Sequence, residues 1–308
     1  MIALLFPGQG SQRPGMGAPW QEHPSWQLID ALTDATGLDL PFLLLEADAE
    51  TLKATRNAQP AAFALSLVIL DAARRAGLLD THVAALAGHS LGEYTALVAA
   101  GVLSVPDGAL LVAERGEAMQ QAADEFPGTM AAVLGLEPDV MAEVCASVEG
   151  AWVANDNAPG QIVVAGTTPG VEAASVAAKA AGAKRVLPLA VGGAFHSPLM
   201  EPAAERLNEA LGAATFDDGT RPVVANVDAA LYHPGDGGWP ARLAAQLCAP
   251  VRWRQSLLTL AGSGVDRFLE LGPGTELSGM VKRTVEGAAR ANVAVPADLD
   301  GLAAFLGG

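Results

Sequence analysis

Ser90 sits in Gly88-His89-Ser90-Leu91-Gly92, a GxSxG pentapeptide. Small residues two before and two after the serine allow a tight, strained turn between a strand and a helix. Such a turn lifts the hydroxyl out at a helix N-terminus. There the Leu91 backbone N–H and the helix dipole face an oxyanion forming beside Oγ. The chemistry implied is acyl transfer through a covalent serine ester. The plain alternative is a serine that only caps the helix of an ordinary strand–helix turn.

A serine hydroxyl is a weak nucleophile without a base. Five histidines are available: His23, His82, His89, His196 and His233. His23 lies in a polar loop flanked by tryptophans, His82 at the start of an apolar run, and His233 in a Pro/Gly-rich stretch. These read as surface or turn residues. His89 precedes the serine, so its side chain is expected to diverge from Ser90 and to pack. His196 lies in Val191-Gly192-Gly193-Ala194-Phe195-His196-Ser197-Pro198, a small-residue turn after a strand and before a helix. Turns of this kind bring functional groups to the carboxyl edge of a parallel sheet. By elimination His196 is the expected general base.

Arg115 is the third informative residue. Over residues 108–122 the helical apolar stripe runs through Leu111, Val112, Ala118, Met119 and Ala122, and Arg115 occupies its middle. A buried arginine keeps its charge and needs a partner. That partner is either a structural carboxylate, with the stem packed along the core, or the carboxylate of a substrate held by the planar fork. Pro7-Gly8-Gln9-Gly10-Ser11-Gln12 matches neither GxGxxG nor a P-loop, although it can turn backbone amides toward an anion. Gln246 and Asn157 carry no signal of their own.

The elements that must hold these groups follow from periodicity. Residues 2–6 and 83–87 read as short buried strands, broken at Pro7-Gly8 and at Gly88. Helices are expected over 25–36, 59–76 (with Pro60 in its first turn), 91–102, and from a cap at Asp107 to about 123. Strand–turn–helix units of this kind build a parallel sheet covered on both faces. The pattern then changes. Strand 129–136, helix 138–147, strands 151–154 and 161–166 joined by residues 155–160, helix 169–181 and strand 185–190 make the βαββαβ order of a ferredoxin-like unit. A helix at 200–211, a strand at 223–227, a helix at 239–247 and a strand at 267–271 ending in Gly272-Pro273-Gly274 return to the first style. The fold expected is α/β, with a parallel sheet in a large unit and an inserted ferredoxin-like small one.

Composition agrees. The 308 residues are 51% hydrophobic and 17% charged, with a net charge of −16. That excludes a disordered chain and argues against nucleic acid as a partner. Two cysteines, Cys145 and Cys248, form no CxxC pair and fit a reducing compartment. No signal-peptide core and no run of about 18 apolar residues is found, so neither export nor a membrane is expected. A cytoplasmic protein with a sizeable core is expected.

Five segments occur in order: PGQGSQ at Pro7–Gln12, GHSLGEY at Gly88–Tyr94, AERGEAM at Ala113–Met119, GAFHSPLM at Gly193–Met200 and ELGPG at Glu270–Gly274. Over essentially the whole chain they resemble the malonyl-CoA:acyl-carrier-protein transacylases of type II fatty acid synthesis and the acyltransferase domains of polyketide synthases. The resemblance implies an α/β-hydrolase-like large domain at 1–124 and 193–308 and a ferredoxin-like subdomain at 125–192. It implies Ser90 as the acylated nucleophile, His196 as its base, and the backbone N–H groups of Gln9 and Leu91 as the oxyanion hole. It makes Arg115 the clamp for the malonyl carboxylate. Gln246 matches a glutamine that orients the histidine through a carbonyl, in place of a triad acid. Asn157 matches an asparagine lining the site, and Phe195 a bulky ring that resists α-branched acyl groups.

The implied reaction is ping-pong. Ser90 takes malonyl from malonyl-CoA, and the phosphopantetheine thiol of acyl carrier protein then takes it from Ser90. No metal or redox cofactor is needed, the phosphopantetheine arrives on the partner, and a monomer suffices. The overall charge suits neither CoA nor an acidic carrier, so attraction must be local. Lys179, Lys184 and Arg185 form the clearest basic group, with a merely solvated face as the alternative. The main rival is a serine esterase or thioesterase, which has no use for a buried Arg115. The malonyltransferase subunit of malonate decarboxylase and a stand-alone polyketide acyltransferase share the motifs. An inactive scaffold that only binds carrier protein would not need the Ser90/His196/Arg115 set.

Overall fold

Two apolar runs, Ile2–Phe6 (β1) and Val83–Gly88 (β2), lie side by side in parallel and are buried almost throughout. Strands covered on both faces read as continuous hydrophobic runs rather than alternating ones. The computed structural model describes residues 1–79 and 83–307; His82 lies outside the described residues. The further strands are Thr129–Leu134 (β3), Ala151–Ala158 (β4), Gln161–Gly166 (β5), Arg185–Pro188 (β6), Val223–Val224 (β7), Leu231–Tyr232 (β8), Arg267–Leu271 (β9) and Ala289–Val293 (β10). One sheet has the order β10-β9-β1-β2-β7-β8, parallel except for the β7–β8 hairpin. The other is wholly antiparallel, β4-β5-β3-β6. With helices Pro138–Ala146 and Thr168–Ala180 it forms the ferredoxin-like arrangement.

Several boundaries move. The long helix begins at Thr55, because Gln120 Oε1 accepts the Thr55 N–H at 2.9 Å, and Pro60 therefore lies inside it rather than in its first turn. Ser104, not Asp107, caps helix Val105–Glu125; its Oγ accepts the Asp107 N–H at 3.1 Å. β4 runs on to Ala158, so Asn155, Asp156 and Asn157 belong to a bulged strand and not to a connecting loop. β7 has two residues instead of five. Helices Leu40–Leu45, Trp253–Gly262, Glu276–Thr284 and Leu299–Gly307 are additions to the elements expected from sequence. In Glu276–Thr284 the buried Glu270 carboxylate does the capping, accepting the Leu277 and Ser278 N–H groups at 3.1 and 2.7 Å.

The register of the parallel sheet fixes the site. Phe6 pairs with Gly88, so the turn after β1 and the turn after β2 leave the same sheet edge together. The His89 N–H donates to the Phe6 carbonyl at 3.0 Å. A Cβ at Gly92 would stand 2.0 Å from the Phe6 oxygen, and one at Gly88 would stand 1.8 Å from the Gly92 backbone. Only glycine allows this approach. Gly92→Ala must therefore move backbone, at more than the about 1–3 kcal/mol of ordinary overpacking. Thermal unfolding should show Tm lowered by at least about 5 °C. An unchanged Tm would mean that the two turns are not packed this closely.

Candidate active site

Ser90 adopts φ 52°, the left-handed region, at the top of β2 and ahead of helix Gly92–Ala100. Asn226 clasps this turn. Its Oδ1 accepts the Ser90 N–H at 2.7 Å and its Nδ2 donates to the Gly88 carbonyl at 2.8 Å. The backbone N–H groups of Gln9 and Leu91 donate to no other group among the described residues. The Gln9 turn is braced by its own bonds: Ser11 Oγ donates to the Gly8 carbonyl at 2.8 Å and the Gly10 N–H to Gln12 Oε1 at 2.7 Å.

His196 also sits at positive φ, 59°. It is 4% exposed, and its Nε2 stands 2.8 Å from Ser90 Oγ. Its Nδ1 is 2.8 Å from the Gln246 backbone carbonyl. A carbonyl can only accept, so Nδ1 carries the proton and Nε2 presents its lone pair to the serine hydroxyl. Burial lowers the imidazole pKa, and the nearby Arg115 lowers it further, to about 3. The ring is thus a neutral base at any ordinary pH.

Arg115 is 1% exposed on helix Val105–Glu125. Its Nη1 donates to Gln59 Oε1 at 2.6 Å; its Nη2 donates to Ser90 Oγ and to Gln246 Oε1, each at 2.9 Å. Tyr94 lies with its ring 5.5 Å from the guanidinium carbon. Every one of these partners is neutral, and Arg115 forms no ion pair with a carboxylate among the described residues. Burial pulls the guanidinium pKa down, opposed by Tyr94 and Glu93. Arginine does not give up its proton even so, and the site holds an uncompensated cation.

A cavity of about 280 Å³ opens over Ser90 and His196, lined among others by Gln9, Asn157 and Phe195; Arg115, Gln246 and Leu91 are not among the residues that line it. His89, read from sequence as a packing residue, lines it as well. Its Nε2 bonds Asn157 Oδ1 at 2.8 Å, which ties the end of β4 to the serine turn, and its ring edges onto Trp253. Lys179, Lys184 and Arg185 are exposed on the small sheet's unit and line no part of the cavity. Sequence reasoning missed Gln59, Glu93 and Asn226. Glu93 lies inside GHSLGEY at a fully buried helical position, a signal that a charge on an apolar helix could have given; Gln59 and Asn226 gave none.

The acyl transferase domain family matches residues 3–300. The malonyl CoA-acyl carrier protein transacylase of Bacillus subtilis (strain 168) is 45% identical over 92% of this chain and 90% of its own. The Escherichia coli (strain K12) protein of the same name is 42% identical over 92% and 93%. Among solved structures, an acyl carrier protein S-malonyltransferase from Vibrio cholerae superposes with TM-score 0.92 at 39% identity, covering 98% of this chain and 99% of that one. A malonyl-transacylase in complex with a type II PKS acyl-carrier protein gives TM-score 0.93 at 38% identity, covering 98% and 99%.

The low His196 pKa fixes a pH window. The folded value lies below the ordinary 6.5, so the neutral ring contributes stability above pH 6.5, lost as pH falls toward about 3. Glu93 has the opposite sign. Burial raises it to about 8, so its contribution is full below its ordinary 4.5 and lost as pH rises through about 8. Acylation of Ser90 by an activated ester, followed by intact-mass rates, should stay flat from about pH 7 down to about pH 5. An inflection near 6.5 would mean that His196 is solvated or is not the base.

Proposed function

The chain belongs to the acyl transferase domain family, and we propose from that premise that it carries malonyl units from coenzyme A to acyl carrier protein through Ser90. It is an acyltransferase of the malonyl-CoA:acyl carrier protein type and supplies fatty acid synthesis. One observation carries the substrate assignment: a buried cation, held only by neutral groups, donating to the oxygen that would be acylated. In a malonyl ester the free carboxylate stands one methylene from the acyl carbonyl. When that carbonyl is on Ser90 Oγ, the carboxylate reaches the guanidinium, which releases Oγ to take up the bidentate anion.

In the first half-reaction Ser90 Oγ attacks the thioester carbonyl while His196 Nε2 takes its proton. The oxyanion is met by the Gln9 and Leu91 N–H groups. The Gln246 carbonyl steadies the imidazolium through Nδ1–H. CoA leaves with the proton from Nε2, and malonyl-Ser90 remains. In the second, the phosphopantetheine thiol gives its proton to His196 and its sulfur attacks the ester carbonyl; the acyl–Oγ bond then breaks, and His196 returns the proton to Ser90 Oγ. Asn157 and Phe195 shape the acyl pocket, the ring disfavouring a substituent at the α carbon. The carrier protein approaches the small unit, residues 125–192, where Lys179, Lys184 and Arg185 offer an acidic partner its local attraction. The large unit, 1–124 and 193–308, holds the chemistry in a single chain.

Ser90→Ala should abolish acylation. Intact-mass analysis with malonyl-CoA should show an adduct on the wild-type protein and none on the variant; an adduct of equal yield on Ser90→Ala removes the nucleophile assignment.

Arg115→Ala tests the substrate. A charge-assisted contact in this setting is worth about 1.5–3 kcal/mol. At tenfold per 1.36 kcal/mol, malonyl should be preferred over acetyl by about tenfold to a hundredfold. The preference should vanish in Arg115→Ala and return only partly in Arg115→Lys, which lacks the planar fork. The measurement is kcat/KM for malonyl-CoA and acetyl-CoA; an unchanged ratio makes Arg115 structural.

A further inference from the structure

Glu93 stands three residues beyond Ser90, on the buried helix Gly92–Ala100, and is 1% exposed. It touches none of the reacting atoms. Its carboxyl group accepts the Gln246 Nε2–H at 2.5 Å and the Asn226 backbone N–H at 3.3–3.4 Å. Both contacts lead to the site. Asn226 is the clasp on the serine turn. Gln246 is the residue through which base and cation meet. Its backbone carbonyl holds His196 Nδ1–H, its Oε1 accepts from Arg115 Nη2, and its Nε2 also donates to the Ser90 carbonyl at 3.0 Å.

A primary amide has two orientations that differ only in which end donates. Here the choice has consequences. With Nε2 toward Glu93 and the Ser90 carbonyl, Oε1 faces the guanidinium and every contact is donor to acceptor. Reversed, the NH₂ group meets the Arg115 cation and Oε1 meets the Ser90 carbonyl, so both contacts set like against like, and Glu93 Oε2 loses the donor that it takes from Nε2. The closest acceptor at the Nε2 end is Glu93 Oε2, 2.5 Å away. Arg115 is itself held at Nη1 by Gln59 and at Nη2 by Gln246 and Ser90, so the amide's polarity sets where the fork points. The other charged groups facing Glu93 are Arg115, from helix Val105–Glu125, and Asp228, from the loop after β7; the Tyr94 phenol neighbours it on its own helix.

We propose that Glu93 is a positioning residue for the transfer, fixing the Gln246 amide so that Arg115 is aimed at the acyl carboxylate and His196 at Ser90. The assignment rests on the function proposed above, in which Arg115 receives the malonyl carboxylate. It makes a specific claim about what Glu93 supplies: an acceptor at a fixed place, not bulk and not net charge.

Glu93→Gln keeps an acceptor in nearly the same volume, and Glu93→Met keeps the volume without the acceptor. Each is compared with wild type by kcat/KM for malonyl-CoA and acetyl-CoA, normalised to sites titrated by the acyl-serine burst. In Glu93→Met the malonyl/acetyl ratio should fall at least about tenfold and per-site acylation about a hundredfold, the scale of a misplaced catalytic group. Glu93→Gln should recover the ratio to within about threefold of wild type, since a neutral acceptor still orients the amide. If Glu93→Met does not yield folded protein, Gln246→Met takes its place, because it deletes the amide itself and must lose the same ratio. A Met variant at either position with wild-type ratio and per-site rate overturns the assignment, even where the titrated fraction has dropped. So does a Glu93→Gln variant that falls as far as Glu93→Met. Failure of the wild-type protein to form a malonyl adduct overturns the reaction itself. A wild-type adduct with unchanged Glu93→Met kinetics overturns only the role of Glu93.

Discussion

A guanidinium with almost no access to water, bonded only to neutral oxygens, sets the terms for the rest of the site. Desolvating a cation is expensive unless hydrogen bonds replace its hydration. Gln59, Gln246 and Ser90 supply them, yet none cancels the charge. The residual field acts on every neighbour. It adds to burial in keeping His196 unprotonated, so its Nε2 offers a free lone pair to the Ser90 hydroxyl. It opposes the burial that raises Glu93. It also puts a fixed positive charge beside Ser90 Oγ, and a fixed cation favours a ligand that brings its own negative charge.

Around that cation, two strained residues are brought face to face. Ser90 and His196 both occupy the left-handed region, at φ 52° and 59°. Such conformations cost about 1–3 kcal/mol each and persist only where the surroundings overdetermine them. For Ser90 the surroundings are Gly88, Gly92 and the Asn226 clasp. For His196 they are the Gln246 carbonyl and the turn closed by Ser197 Oγ on the Ala194 carbonyl at 2.6 Å. The strain is what points Oγ and Nε2 at one another from separate elements. It also explains why a backbone carbonyl serves where a carboxylate could have stood: next to Arg115, a neutral acceptor orients the ring without adding an anion that would capture the cation.

The second sheet enters the site through the end of β4. Asn155 bridges to Val251, Asp156 pairs with Arg254 at 2.8–3.0 Å, and Asn157 bonds His89. Three successive residues thus seat the small sheet on the large unit, two on Val251 and Arg254 and the third on the serine turn, and the cavity lies along that seam, with Met130 and Val163 from one side and the Gln9 turn from the other.

The sequence by itself determined the units and the chemistry. Alternation of short apolar runs with helical stripes gave the parallel sheet, the βαββαβ order gave the insertion, and GxSxG with its flanks gave Ser90 a turn and a helix N-terminus. Arg115 stood out because a cation inside an apolar stripe has to be explained. All of these are local signals, set by the chain's own period and by glycine's freedom at one turn. What only the tertiary structure decided lies between elements distant in sequence. Ser90 meets His196 106 residues away, and Gln246 joins Arg115 across 131. That Asn155–Asn157 would be strand rather than loop depended on pairing with β5 and Val251. Glu93, Gln59 and Asn226 were invisible because the role of a polar side chain is fixed by which buried donors and acceptors remain unpaired once the backbones have met, and no spacing along one chain segment records that.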